Sequence, residues 1–117
     1  MPARLAAEIY RVVNAAVEDA TDLGTNPLDF IVLKPDAVRI TTRHKRHSTS
    51  TTDGKEHEFW TEFYVKNGLI CAQDGRSNDV DTREGQEHQY EVLDIMINLS
   101  DIFESAKRLA ATLSSYL

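Results

Sequence analysis

The chain has a single cysteine, Cys71, among its 117 residues. One thiol closes no internal disulfide, which agrees with a reducing compartment. No Cys-x-x-Cys or His-Glu-x-x-His spacing is present, so the usual signatures of a zinc site are missing too. No run of about eighteen apolar residues occurs, and no membrane-spanning helix is expected. Glu8, Arg11 and Glu18 interrupt what would be the apolar core of a signal peptide. A cytoplasmic location is therefore expected. Internal repeats are also lacking, and the length suits one domain spanning 1–117.

Positive charge is in deficit, with 13 Lys and Arg against 19 Asp and Glu and a formal net charge of −6. That balance argues against nucleic-acid binding by the chain as a whole. The distribution is nevertheless uneven. Arg39, Arg43, Lys45 and Arg46 lie close together with His44 and His47, whereas Asp74, Asp79, Asp81, Glu84, Glu87 and Glu91 are opposed only by Arg76 and Arg83. Such a two-sided molecule can steer a partner or orient two copies of itself.

Catalytic signatures are absent as well. No serine sits in a Gly-x-Ser-x-Gly elbow, and Ser48 to Thr52 lacks the glycines of a phosphate cradle. His44 and His47 point to opposite faces of a shared strand, His57 lies in the next strand and His88 is distant, so no metal site is expected. A calcium loop starting at Asp79 would need glycine at its sixth position, where Glu84 stands. Glu58 and Glu62 sit among lysine and arginine without an apolar pocket to raise one pKa. Cys71 reads as a small apolar filler, so no cofactor and no enzyme are expected.

Periodicity is what the chain does have. Leu5, Ile9, Val12, Val13, Ala16, Val17 and Ala20 recur at helical spacing, with Gly24 as the stop. A second helical region runs from about Glu87 to Ser115 through Tyr90, Leu93, Met96, Leu99, Ile102, Phe103 and Ala106. A break near Asn98 to Asp101, with Ser100 as N-cap, is compatible with its length. Between the helices lie four strands: Phe30 to Lys34, Val38 to His47, Glu56 to Lys66 and Leu69 to Gln73. Pro35-Asp36, Asp53-Gly54 and Asn67-Gly68 are the turn signals. A two-residue Asp-Gly turn would set His44 opposite Phe63 and Thr42 opposite Val65. The Asn-Gly turn sets Val65 opposite Ile70, Phe63 opposite Ala72 and Tyr64 opposite Cys71.

The expected fold is thus an α+β two-layer sandwich, an antiparallel meander of order 1-2-3-4 flanked by an N-terminal helix and a long C-terminal one. Strand parity sorts Ile31, Leu33, Val38, Ile40, Phe63, Val65, Ile70 and Ala72 onto an inner, helix-covered face. The stretch from Asp74 to His88 is expected to be a solvated connector. The outer face carries Phe30, Val32, Trp60, Tyr64, Leu69 and Cys71 interleaved with Arg39, Arg43, Lys45 and Glu62. An apolar patch of this size calls for a cover. The chain is therefore expected to be a non-catalytic interaction module, an adaptor, inhibitor or assembly subunit. It would form a homodimer or bind a protein target through Phe30, Val32, Trp60, Tyr64 and Leu69.

Two alternatives stand beside this. Arg39, Arg43, Lys45 and His47 on a face shared with aromatic rings fit anion or single-stranded nucleic-acid binding, and a small metal-assisted enzyme is the other. The plain reading of the same cations is cross-strand pairing with Glu58 and Glu62 together with cation–π contact.

Overall fold

The computed structural model describes residues 1–47, 56–77, 80–90 and 97–116. The chain opens with helix α1 (Ala3–Leu23), whose buried row is Leu5, Ile9, Val12, Val13, Ala16, Val17 and Ala20. Gly24, at φ 68°, ends the helix in the left-handed region that glycine enters without strain. A 3-10 turn, Pro27–Phe30, leads into strands β1 (Ile31–Leu33), β2 (Val38–His47), β3 (Glu56–Lys66), β4 (Leu69–Ser77) and β5 (Asp81–Tyr90). Helix α2 (Leu99–Ser114) follows. Among the described residues the strands form one antiparallel sheet in the order β1-β2-β3-β4-β5.

Both helices pack on one face of the sheet. Their apolar rows join Ile31, Val38, Ile40, Phe63, Ile70 and Ala72 in a single core, to which α2 contributes Ile102, Ala106 and Ala110. The α+β sandwich and the inner face are as the periodicity implies, with one strand more. Leu33 and Val65 are corrections: both have the parity of the inner face, yet they are 43% and 54% exposed. They stand at the strand ends beside the Pro35-Asp36 and Asn67-Gly68 turns, at the margin of the helical layer next to Leu99.

Register follows the turn chemistry where the turn is short. Asn67 and Gly68 both have positive φ, 53° and 76°, and the pairs Val65–Ile70, Phe63–Ala72 and Tyr64–Cys71 form as expected. Ile31 likewise meets Ile40, and Leu33 meets Val38. Between β2 and β3 the expected register is wrong: Val38, not His44, lies opposite Phe63, a slip of 44 − 38 = 6 residues. An even slip leaves each side chain on its own face, so the sorting into two faces survives as far as Thr41. The Asp53-Gly54 turn itself lies outside the described residues. Further along β2, register shifts between Thr41 and Arg43 and between Arg43 and Arg46 mark bulges.

Strand β5 replaces the expected connector. Its sequence, DTREGQEHQY, carries almost no apolar residues because it is an edge strand whose side chains are mostly exposed, Tyr90 alone being fully buried. Period-two hydrophobicity cannot reveal such a strand. The long C-terminal helix is shortened accordingly, since Glu87 to Tyr90 belong to β5; Leu93 and Met96 lie outside the described residues. The N-cap is Asn98 rather than Ser100, and the helix begins at Leu99. Asn98 Oδ1 accepts from the Asp101 backbone N–H at 3.0 Å while Asp101 Oδ2 accepts from the Asn98 N–H at 2.9 Å, a reciprocal capping box.

Replacing Asn98 with alanine removes half of that box. Urea denaturation should show a loss of about 1 kcal/mol with an unchanged m-value, and a loss below a few tenths would mean the cap is idle.

Candidate functional site

The helix-free face of the sheet is organised around one carboxylate. Glu62 stands directly opposite Arg39 in the β2–β3 ladder, and its side chain is 3% exposed. Oε2 accepts from Arg39 Nε at 3.1 Å and from Lys34 Nζ at 3.2 Å, and Oε1 accepts from Arg83 Nε at 3.0 Å. Withdrawing an ion from water costs several kcal/mol, which only close partners and filled lone pairs offset. Three cations do so here. Removing the carboxylate would leave Arg39, itself largely buried, with Asp81 as its remaining counter-charge, and would strip Lys34 and Arg83 of this ion pair.

The same guanidinium groups lie on aromatic rings. Arg39 sits 4.2 Å from the centroid of Trp60 and Arg83 sits 3.7 Å from that of Tyr64, both within cation–π range. Trp60 in turn lies flat on Gly75, its cross-strand neighbour; a Cβ at position 75 would stand 2.0 Å from the indole. Glycine is therefore required there by close approach. Trp60 Nε1 donates to Ser77 Oγ at 3.2 Å, and Ser77 donates to Asp81, which also accepts from Arg39 Nη2 at 2.7 Å.

That last pair reports the shape of the sheet. Arg39 is level with Gln73 of β4 through Glu62, whereas Asp81 is level with Ser77. On a flat sheet their backbones would lie about 14 Å apart across the strands and about 13 Å apart along them. Contact at 2.7 Å requires the β4–β5 hairpin to curl over the helix-free face. Trp60 and Tyr64, at 2% and 5% exposure, are covered by this curl and by the guanidinium groups.

Tyr64 anchors the other end of the cluster. Its hydroxyl donates to Glu87, which Lys66 Nζ approaches at 3.3 Å, and lies 3.1 Å from Gln73 Oε1. Burial first, and then the hydrogen bond to Glu87, push the phenol well above the usual tyrosine range. The Ser77 hydroxyl and the Arg39 guanidinium hold the Asp81 carboxyl below its ordinary value. Burial raises the Cys71 thiol, which is fully enclosed beside Tyr64 and Ala37.

The residues expected to bind a partner are thus placed differently from one another. Trp60 and Tyr64 do face away from the helices, but the greasy surface they were expected to leave is closed by arginines of their own chain. Leu69 is partly buried against the Tyr64 cluster, and Val32, opposite Arg39, is exposed. Phe30 is a correction. It ends the 3-10 turn rather than starting a strand, so the alternation does not reach it, and it packs in the helix-side core with its ring stacked 5.6 Å from His44.

The expected anion-binding row is split. Arg39 is engaged by Glu62 and Asp81, while the first bulge of β2 brings Arg43 opposite Phe59, on the parity of the helix side. The side chains of Lys45 and His47 lie outside the described residues. Among the described residues no three His, Cys, Asp or Glu side chains gather as a metal site. Arg83, Asp81 and Glu87 were not anticipated, since they come from the unexpected strand. The trace of Arg83 in the sequence is as one of two cations, with Arg76, within an acidic stretch.

No family model matches the chain, and no curated protein or solved structure shows significant similarity to it.

A neutral phenol is favoured by the fold, so its contribution is complete below the ordinary tyrosine pKa of about 10 and is lost progressively as pH rises from there through the raised folded value. The stability difference between the native chain and Tyr64→Phe should accordingly be constant from about pH 6 to 9 and shrink above about pH 10 in chemical denaturation. A difference that held steady to about pH 11 would contradict this environment for Tyr64.

Proposed function

We propose that this chain is a non-catalytic protein-interaction module, an adaptor, inhibitor or assembly subunit, that self-associates through the helix-free face of its sheet. The observation that carries this reading is the arginine layer: Arg39 on Trp60 and Arg83 on Tyr64, both tied to Glu62. Arginine, tryptophan and tyrosine are the side chains most often responsible for interface energy. Here the rings are covered, and it is the part-exposed Arg83 that is held in place before any partner arrives, which lowers the ordering cost of association. The rings form a floor, and the groups a partner meets are the rim: Val32, Lys34, Lys66, Asp81 and the outer edge of Arg83.

Charge on that rim supports pairing of like with like. A two-fold axis along the strands, between two stacked sheets, sets β5 of one copy over β1 of the other. Glu87 of one copy then approaches the side that carries Lys34 in its mate, an isologous contact of complementary sign. A heterologous protein target with an acidic and apolar surface is the other form of the same reading.

Light scattering after size exclusion tests the self-associating form. A mass near twice 13.2 kDa is expected at tens of micromolar, with Arg83→Ala shifting it toward the monomer while circular dichroism stays unchanged. A 13.2 kDa species throughout would contradict self-association.

A further inference from the structure

On the helix side, beyond the apolar core, α1 and the sheet part to leave a cleft of about 240 Å³, the room of about eight waters. Its roof is the α1 row Arg11 and Ala15, with Asp19 next in the same four-residue spacing. Its floor includes Thr42, Arg43, Thr61 and Asp74, with Phe59 as an apolar wall. The β2 bulge is the reason Arg43 is there, since without the register shift it would keep the parity of Arg39 and face the opposite side.

Donors and acceptors in this cleft are separated and incompletely used. Arg11 is held by Glu8 through Nε and Nη2 at 3.1 and 2.6 Å. Asp74 Oδ1 accepts from the buried Thr61 hydroxyl at 2.7 Å, and no described residue donates to its other oxygen. Arg43, by contrast, makes no hydrogen bond or ion pair with another described residue, although it lies near enough to Asp19 to offset part of the rise that burial imposes on that carboxyl.

We propose that this cleft binds a small zwitterion of amino-acid size, its carboxylate on the Arg43 guanidinium and its ammonium on the Asp74 carboxylate, with Phe59 against its side chain. A simple anion would face the second oxygen of Asp74, and a simple cation would meet Arg11 and Arg43. Opposite charges a few bonds apart satisfy both. Arg43 offers a planar fork for a carboxylate, and an ammonium offers three donors to acceptors that have room for them. The cleft lies on the opposite side of the sheet from the association surface, so the two readings stand or fall separately.

The twenty protein amino acids, added singly to the full chain, provide the test. Trp60 borders the cleft and is the chain's one tryptophan, so its emission and the melting temperature are both readouts. At least one amino acid at about 10 mM should raise the melting temperature and change that emission. Arg43→Gln, a change at an exposed position, should weaken the binding at least about tenfold, and Ala15→Leu, which fills the cleft, should abolish it. If no amino acid has an effect, or if the active one binds both folded variants as it binds the native chain, the proposal is overturned.

Discussion

The buried carboxylate of Glu62 is the constraint on which one whole face of this molecule depends. Its two oxygens collect three cations from two strands and a turn, Lys34 just after β1, Arg39 from β2 and Arg83 from β5. Each cation lies where an unpaired charge or an uncovered ring would otherwise meet water. The cluster therefore does two jobs at once: it neutralises charges that have left solvent, and it lays guanidinium planes over Trp60 and Tyr64. Neither half is stable alone, because an isolated buried carboxylate is expensive and an uncovered aromatic pair is an aggregation surface.

The two faces of the sheet thus solve the same problem by different means. On one side, two amphipathic helices bury aliphatic side chains in the ordinary way. On the other, a strongly curled hairpin and a set of ion pairs replace the missing layer. Gly75 makes the second solution sterically feasible, since only a missing side chain lets the indole lie on the β4 backbone while Ser77 and Asp81 close over its edge. The bulges of β2 extend this division of labour by passing Arg43 to the helix side while Arg39 stays with Glu62.

Much of this was legible in the residues. Helical spacing placed α1 and its buried row; Asn67-Gly68 fixed the β3–β4 register; parity assigned Phe63 inward and Trp60 outward. What escaped did so for physical reasons. Strand β5 bears no apolar alternation, because an edge strand largely beyond the helices buries only Tyr90 at its end, and without β5 neither Arg83 nor the curl could be foreseen. Leu33 and Val65 have core parity but stand past the cover, a matter of helix placement that local pattern does not encode. Phe30 was misassigned because a 3-10 turn interrupts the period-two count. The cover over Trp60 and Tyr64 comes from cations of the same chain, of which Arg39 has outward parity in the sequence and Arg83 comes from β5, and Arg39 pairs across the strands with Glu62.

The central claim is that Glu62 holds the cover over Trp60, and acrylamide quenching of that single tryptophan measures it directly. Quenching should be weak in the native protein at neutral pH and should rise severalfold toward the unfolded value in a folded Glu62→Gln variant, where the arginines lose their anchor. Strong quenching in the native chain, or a Glu62→Gln variant as protected as the parent, would contradict the account.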